Sequence, residues 1–71
     1  MFEYDPIEDV HTARTEEFFA LASNFEGQPG AFCLVFTTSK PAELVAEFYD
    51  HEGTLDDVKS SFEQFVALTQ H

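Results

Sequence analysis

The chain has 71 residues with a single Cys, and its 14 acidic and 3 basic residues give a net charge of −11. This length suits one domain with a small core, and one Cys excludes an intrachain disulfide framework. Nine phenylalanines distinguish the chain from a disordered acidic tail, which has few aromatic residues. The charge disfavours direct binding to nucleic acid or to an anionic membrane and indicates a basic partner.

The N-terminal residues 1–5 are acidic at the position where a secretory signal peptide would be basic. The longest apolar run is much shorter than the roughly 18 residues that a membrane-spanning helix requires. A chain without a disulfide framework also suits a reducing compartment. We therefore expect a soluble protein in the cytoplasm of its host cell.

The first two predicted elements are a short strand and a long helix. Phe2–Tyr4 alternates apolar and polar residues, as a strand does. Asp5, Pro6 and Glu8 then match the N-cap, first and third positions of a helix start. Apolar residues recur at helical spacing beyond this point, so the pattern predicts a helix from about residue 6 to residue 24.

The segment Ala31–Thr37 contains the one run of six consecutive apolar residues and follows a turn at Gln28-Pro29-Gly30. Its aromatic and β-branched residues favour a strand, and apolar side chains on both sides of it favour burial of both faces. Parallel pairing with Phe2–Tyr4 through a right-handed crossover is the expected arrangement. A buried helix over the same residues is the alternative.

Two further helices are predicted after this segment. The first begins near Ser39-Lys40-Pro41 and ends at Gly53, with Leu44 and Phe48 on its apolar face. The second begins at Thr54, where Asp57 occupies the capping-box position, and carries a broad apolar stripe. The short connection between them predicts an antiparallel helical hairpin.

These elements predict a small helix-rich α+β domain in the order β-α-β-α-α, which spans residues 1–71. Its central strand 31–37 would be buried under the packed helices. The alternative is an all-α bundle in which residues 31–37 are helical.

The residue types that catalysis and metal binding require do not form a recognisable pattern. A nucleophile needs a base and an orienting group within reach, and Cys33 lies inside an apolar run where burial opposes its ionisation. Asp50, His51 and Glu52 are adjacent, but they match neither zinc-site nor calcium-loop spacing. We expect no enzyme activity, no cofactor and no metal.

Acidic residues are the main functional signal. Glu43, Glu47 and Asp50 would share the outer face of the second predicted helix. Like charges four residues apart destabilise a helix by roughly 0.2–0.5 kcal/mol per pair. Carboxylates on such a face repeat about every 6 Å, close to the spacing of phosphates along a strand. A solvated surface that served only solubility would mix both signs of charge.

This pattern predicts a non-catalytic inhibitor that occupies the surface of a basic nucleic-acid-binding protein, by nucleic-acid mimicry or by acidic docking. High acidity that serves only to keep a Phe-rich protein soluble is the competing explanation. The predicted partner-binding residues are Glu43, Glu47, Asp50, Glu52, Asp56, Asp57 and Glu63.

A structural or adaptor module is the alternative function. Arg14 projects from the apolar face of the first predicted helix, and Phe19 points away from that face. Both would suit a secondary interface through which the protein forms a homodimer or docks on a partner with exposed aromatic residues.

The combination of small size, strong acidity and many aromatic residues is similar to one functional class. That class comprises phage- or mobile-element-encoded inhibitors of defence, restriction, repair or transcription proteins, and it includes anti-CRISPR and DNA-mimicking anti-restriction proteins. The similarity is one of size and charge, and it implies no functional residues.

Overall fold

The computed structural model describes residues 1–69 and forms a five-stranded antiparallel sheet followed by a helix. The strands lie in chain order, so each strand pairs with its neighbours in sequence. The elements are β1 (Glu3–Asp5), β2 (Val10–Arg14), β3 (Phe18–Asn24), β4 (Ala31–Thr37), β5 (Leu44–Asp50) and α1 (Leu55–Thr69). This helix is too short and too polar to cross a membrane.

The predicted helix-rich α+β fold is wrong, and so is the alternative all-α bundle. The predicted helix 6–24 is a turn followed by the antiparallel pair β2 and β3, and Phe18 and Leu21, which would share one face of a helix, lie on opposite faces of β3. The helix-start signal forms only a turn: Asp5 Oδ1 accepts hydrogen bonds from the amides of Ile7 at 2.9 Å and Glu8 at 3.3 Å. The chain then reverses at Asp9, whose φ is +54°.

The second predicted helix is also a strand. β5 pairs with β4 from Ala31 opposite Asp50 to Phe36 opposite Leu44, with a register shift between Val35 and Phe36. Apolar residues at the two faces of a strand produced the spacing that had suggested a helix. The predicted helical hairpin therefore does not form.

Two predicted elements are confirmed. Ala31–Thr37 is a strand in the interior of the sheet, and Leu55–Thr69 is a helix. The predicted burial of both faces of 31–37 is wrong, because α1 covers one face only and Phe32, Leu34 and Phe36 on the other are not buried. One of the two bonds of the predicted capping box is present: the Thr54 amide donates to Asp57 Oδ2 at 3.1 Å, while the Asp57 amide donates to the Thr54 carbonyl oxygen. The predicted parallel pairing of the N-terminal strand with β4 is wrong, since β1 pairs with β2 and β4 lies between β3 and β5.

Helix α1 covers one face of the sheet, and the core lies between them. Small residues on β2, β3 and β4 let the helix approach closely, and Cys33 and Val35 are fully buried at the centre. Val58 and Phe62 of α1 fill the space above them. The Phe62 ring meets Phe2 edge-on, with ring centroids 5.5 Å apart.

Gly30 lies where the turn before β4 passes close to the end of β5. Its φ is +108°, and a Cβ at this position would lie 2.5 Å from the Asp50 carbonyl oxygen. We expect Gly30→Ala to lower the free energy of unfolding by about 2–3 kcal/mol, because backbone atoms cannot move aside cheaply. Urea denaturation followed by circular dichroism measures this change.

Gly27 is the matched control for Gly30. It also has a positive φ, +76°, but a Cβ there would meet nothing within 4 Å. We expect Gly27→Ala to cost only about 1 kcal/mol, the conformational penalty alone. Equal losses in the two variants would contradict the close approach of the turn to β5.

Candidate functional site

Three connections lie at the same end of the sheet because neighbouring strands alternate in direction. They are the turn between β1 and β2, the turn between β3 and β4, and the connection from β5 to α1. Eight of the chain's carboxylate side chains lie in these connections, at the strand ends beside them or in the first turn of α1. They are Asp5, Glu8, Asp9, Glu26, Asp50, Glu52, Asp56 and Asp57, and we call this end of the molecule the acidic end.

Residues 5–9, 25–30 and 50–57, which form the acidic end, contain no Lys or Arg. The opposite end of the sheet carries Glu16, Glu17 and Glu43, together with two of the three basic residues, Arg14 and Lys40. The negative charge is therefore concentrated at one end of the molecule. Uneven charge of this kind directs the approach of a charged partner.

The structure divides the predicted partner-binding residues into two groups. Asp50, Glu52, Asp56 and Asp57 belong to the acidic end. The other three predicted residues lie elsewhere. Glu43 precedes β5 at the opposite end, Glu47 lies within β5, and Glu63 lies in the middle of α1.

The predicted row of Glu43, Glu47 and Asp50 is wrong because these residues are not on a helix. Glu47 and Asp50 project from opposite faces of β5, since they are an odd number of residues apart. The phosphate-like spacing that a helix would have supplied does not exist. What remains is the density of carboxylates at the acidic end.

Several side chains at the acidic end have local hydrogen-bonding roles. Asp50 Oδ1 accepts from the Glu52 amide at 3.2 Å. The Tyr4 hydroxyl donates to Asp9 Oδ1 at 2.7 Å, and this bond is the main reason that the pKa of Tyr4 is raised. The Glu52 side chain is exposed, as are those of Glu8 and Glu26. Exposed carboxylates can contact a partner without disrupting the fold.

An aromatic cluster lies beside these carboxylates. The Phe25 ring is 5.7 Å from Phe32, and it is parallel to Tyr49 and His51 at centroid distances of 6.4 and 5.2 Å. Tyr49 is 52% exposed. Carboxylates next to exposed aromatic rings suit Arg in particular, because a guanidinium pairs with the first and stacks on the second.

Prediction from the sequence missed half of the acidic end and the aromatic cluster. The missed acids are Asp5, Glu8, Asp9 and Glu26, which lie in turns that had been assigned to a helix or its end. The signal that could have found them is the pattern of turns in an antiparallel meander, where every second connection lies at the same end.

The face of the sheet opposite α1 forms a second candidate surface, which we call the open face. Residues opposite each other in the strand register share a face, so the register defines it. Its apolar members are Val10, Phe19, Leu21, Phe32, Leu34, Phe36, Leu44 and Tyr49, and none of them is buried. The same register places Glu3 and Asp5 of edge strand β1 and Glu47 of edge strand β5 on this face.

Arg14 and Phe19, the predicted secondary interface, both lie on the open face. Register places them opposite each other, and the Arg14 guanidinium carbon is 5.9 Å from the centroid of the Phe19 ring. The sequence had placed them on different faces of a helix. Their proximity makes this end of the open face both aromatic and basic.

Cys33 is fully buried under α1, as the sequence predicted. Burial raises the pKa of its thiol to about 11. At pH 8 only about one thiol in a thousand would be ionised, so we expect a disulfide reagent to label native protein very slowly. Full labelling in urea is the control, and rapid labelling of native protein would contradict the burial of β4.

Within residues 1–69, no group of three or more His, Cys, Asp or Glu side chains has an arrangement that could hold a metal ion.

Comparison with protein-family models, with curated proteins and with solved structures found no significant match. The functional interpretation of these two surfaces therefore depends on their geometry and chemistry.

Proposed function

We propose that this protein is a non-catalytic inhibitor whose acidic end docks on the Lys- and Arg-rich surface of a nucleic-acid-binding protein. The observation that carries the proposal is the collection of eight carboxylates at one end of the sheet, in the segments 5–9, 25–30 and 50–57, which contain no Lys or Arg. Ordinary solvated surfaces mix both signs of charge. A rigid sheet would hold these carboxylates in place before the partner arrives.

The partner's chemistry follows from the side chains available at this end. Exposed carboxylates such as Glu26 and Glu52 would accept hydrogen bonds from Arg or Lys. The exposed Tyr49 ring would offer a flat surface on which a guanidinium group can stack. Dense Lys and Arg surfaces of this kind are typical of proteins that bind nucleic acid.

Inhibition would result from occupation of the same surface. The carboxylates would replace phosphates on the partner's basic groups and release counterions in the same way. The stoichiometry would be fixed, and the protein would need no cofactor or metal. Such a role fits an anti-defence protein of the anti-CRISPR or anti-restriction type that acts in the cytoplasm of the host cell.

The first test is capture of proteins from host lysate on immobilised protein, at low and at high salt. We expect a basic nucleic-acid-binding protein that elutes as the salt concentration rises, because screening weakens contacts between exposed charges. The captured protein is then purified and loaded with labelled nucleic acid. Displacement of the nucleic acid by added inhibitor supports the proposal, and simultaneous binding of both would refute it.

A further inference from the structure

The open face exposes apolar side chains from four of the five strands. A sheet with an apolar face normally buries that face against another layer, and α1 covers only the opposite side. Leu21 and Leu34 lie opposite each other at its centre, with Phe36 and Phe32 on either side of Leu34 along β4. Patches of this size on a monomer mark a site of association.

We propose that the open face binds a second copy of this chain and forms a symmetric dimer. The two sheets would pack face to face as a sandwich, with one helix on each outer side. This inference does not depend on the proposed function.

The size of the open face supports a second copy as the occupant. Five strands about 4.8 Å apart, with up to seven residues at about 3.3 Å each, give a flat area of about 500 Å². Protruding side chains raise the accessible area above this value, toward the roughly 800 Å² per partner of a standard interface. A two-fold axis brings the same patch of both copies together, so the apolar centre of one open face would meet that of the other, with the acids of edge strands β1 and β5 at the rim.

The distribution of charge selects the orientation of the two copies. Arg14 lies on the open face at the end opposite the acidic end, and Lys40 lies beside it in the loop after β4. A two-fold axis across the strands sets this basic end of each copy over the acidic end of the other. An axis along the strands would set the two acidic ends together, where like charges repel.

Sedimentation analysis at protein concentrations from about 1 to about 500 µM tests the proposal, because the fraction of dimer rises with concentration. We expect a dimer whose stability is unchanged or increased at high salt, since screening reduces repulsion between two acidic chains. Leu34→Asp should raise the dimer dissociation constant at least about a hundredfold, because it would bury two carboxylates. Leu68→Asp on the helix is the matched control and should leave the dimer intact; Leu68 is 76% exposed.

A second variant protects the test against a failure of Leu34→Asp to fold. Leu34→Cys lies near the proposed axis, so a bifunctional thiol crosslinker that spans about 10 Å, the distance between packed sheets, should link two copies, whereas Leu68→Cys should not be linked. A parent chain that stays monomeric throughout would overturn the proposal. A monomer in which Leu34→Asp abolishes binding of a captured protein would also overturn it, and would assign the open face to that protein.

Discussion

Replacing Phe62 with Ala is expected to lower the free energy of unfolding by about 3–5 kcal/mol. Phe62 is only 4% exposed and packs between α1 and the sheet, with its ring against Phe2. A domain of this size has a total stability of only about 4–10 kcal/mol. The variant should therefore be largely or partly unfolded at 37 °C, as thermal and urea denaturation would show.

Leu68 on the same helix provides the control for this prediction. It is 76% exposed, so Leu68→Ala should change the stability by no more than about 0.5 kcal/mol. Similar effects of the two substitutions would mean that α1 does not pack on the sheet through its Val58 and Phe62 face. The central contact of the fold would then be wrong.

Charge reversal at the acidic end has the largest expected effect on binding. The triple variant Glu8→Lys, Glu26→Lys and Glu52→Lys changes one exposed side chain in each of the three connections. We expect affinity for the captured basic protein to fall about a hundredfold or more, since each reversal replaces an attractive charged contact with a repulsive one. Calorimetric titration at fixed salt measures the change.

The opposite end of the sheet supplies a control of equal charge. Glu16→Lys, Glu17→Lys and Glu43→Lys bring the net charge from −11 to −5, as the first triple variant does. Under the proposal the affinity of the control variant is within a few-fold of the parent's affinity. The small loss comes from weaker long-range attraction. If both triple variants lose affinity equally, net charge alone governs binding and the acidic end has no special role.

Strand β4 and helix α1 were predictable because their patterns have one strong interpretation. Ala31–Thr37 follows a turn and is rich in aromatic and β-branched residues, which favours a strand, although α1 covers only one of its two apolar faces. Thr54 and Asp57 begin a helix whose apolar stripe matches a single period along its whole length. Local signals and tertiary packing agree in both elements.

The region from Asp5 to Asn24 was not predictable from the same rules. An Asx turn and a helix N-cap use the same carboxylate-to-amide hydrogen bond, so Asp5 and Pro6 suit either structure. Apolar residues on both faces of β3 imitate helical spacing. Pairing with β4 along all of β3 decides the outcome, and such long-range pairing leaves no local signature.

The candidate site, like the fold, was predictable only where its residues are close together in the sequence. The acids from Asp50 to Asp57 were identified because they are close in sequence. Glu8 and Glu26 join them only through the meander, which brings distant turns to one end. Glu47 was predicted to bind the partner because its spacing from Glu43 and Asp50 fits one face of a helix. This reason no longer holds, since Glu47 lies within strand β5.

The most direct test of the central claim is a pair of two-dimensional NMR spectra of isotope-labelled protein, alone and with the captured basic protein. The account predicts that the amide signals of residues 5–9, 25–30 and 50–57 shift or broaden first. Signals near Glu16, Glu17 and Glu43 should change much less. Changes centred on that opposite end, or spread evenly over the molecule, would contradict docking through the acidic end.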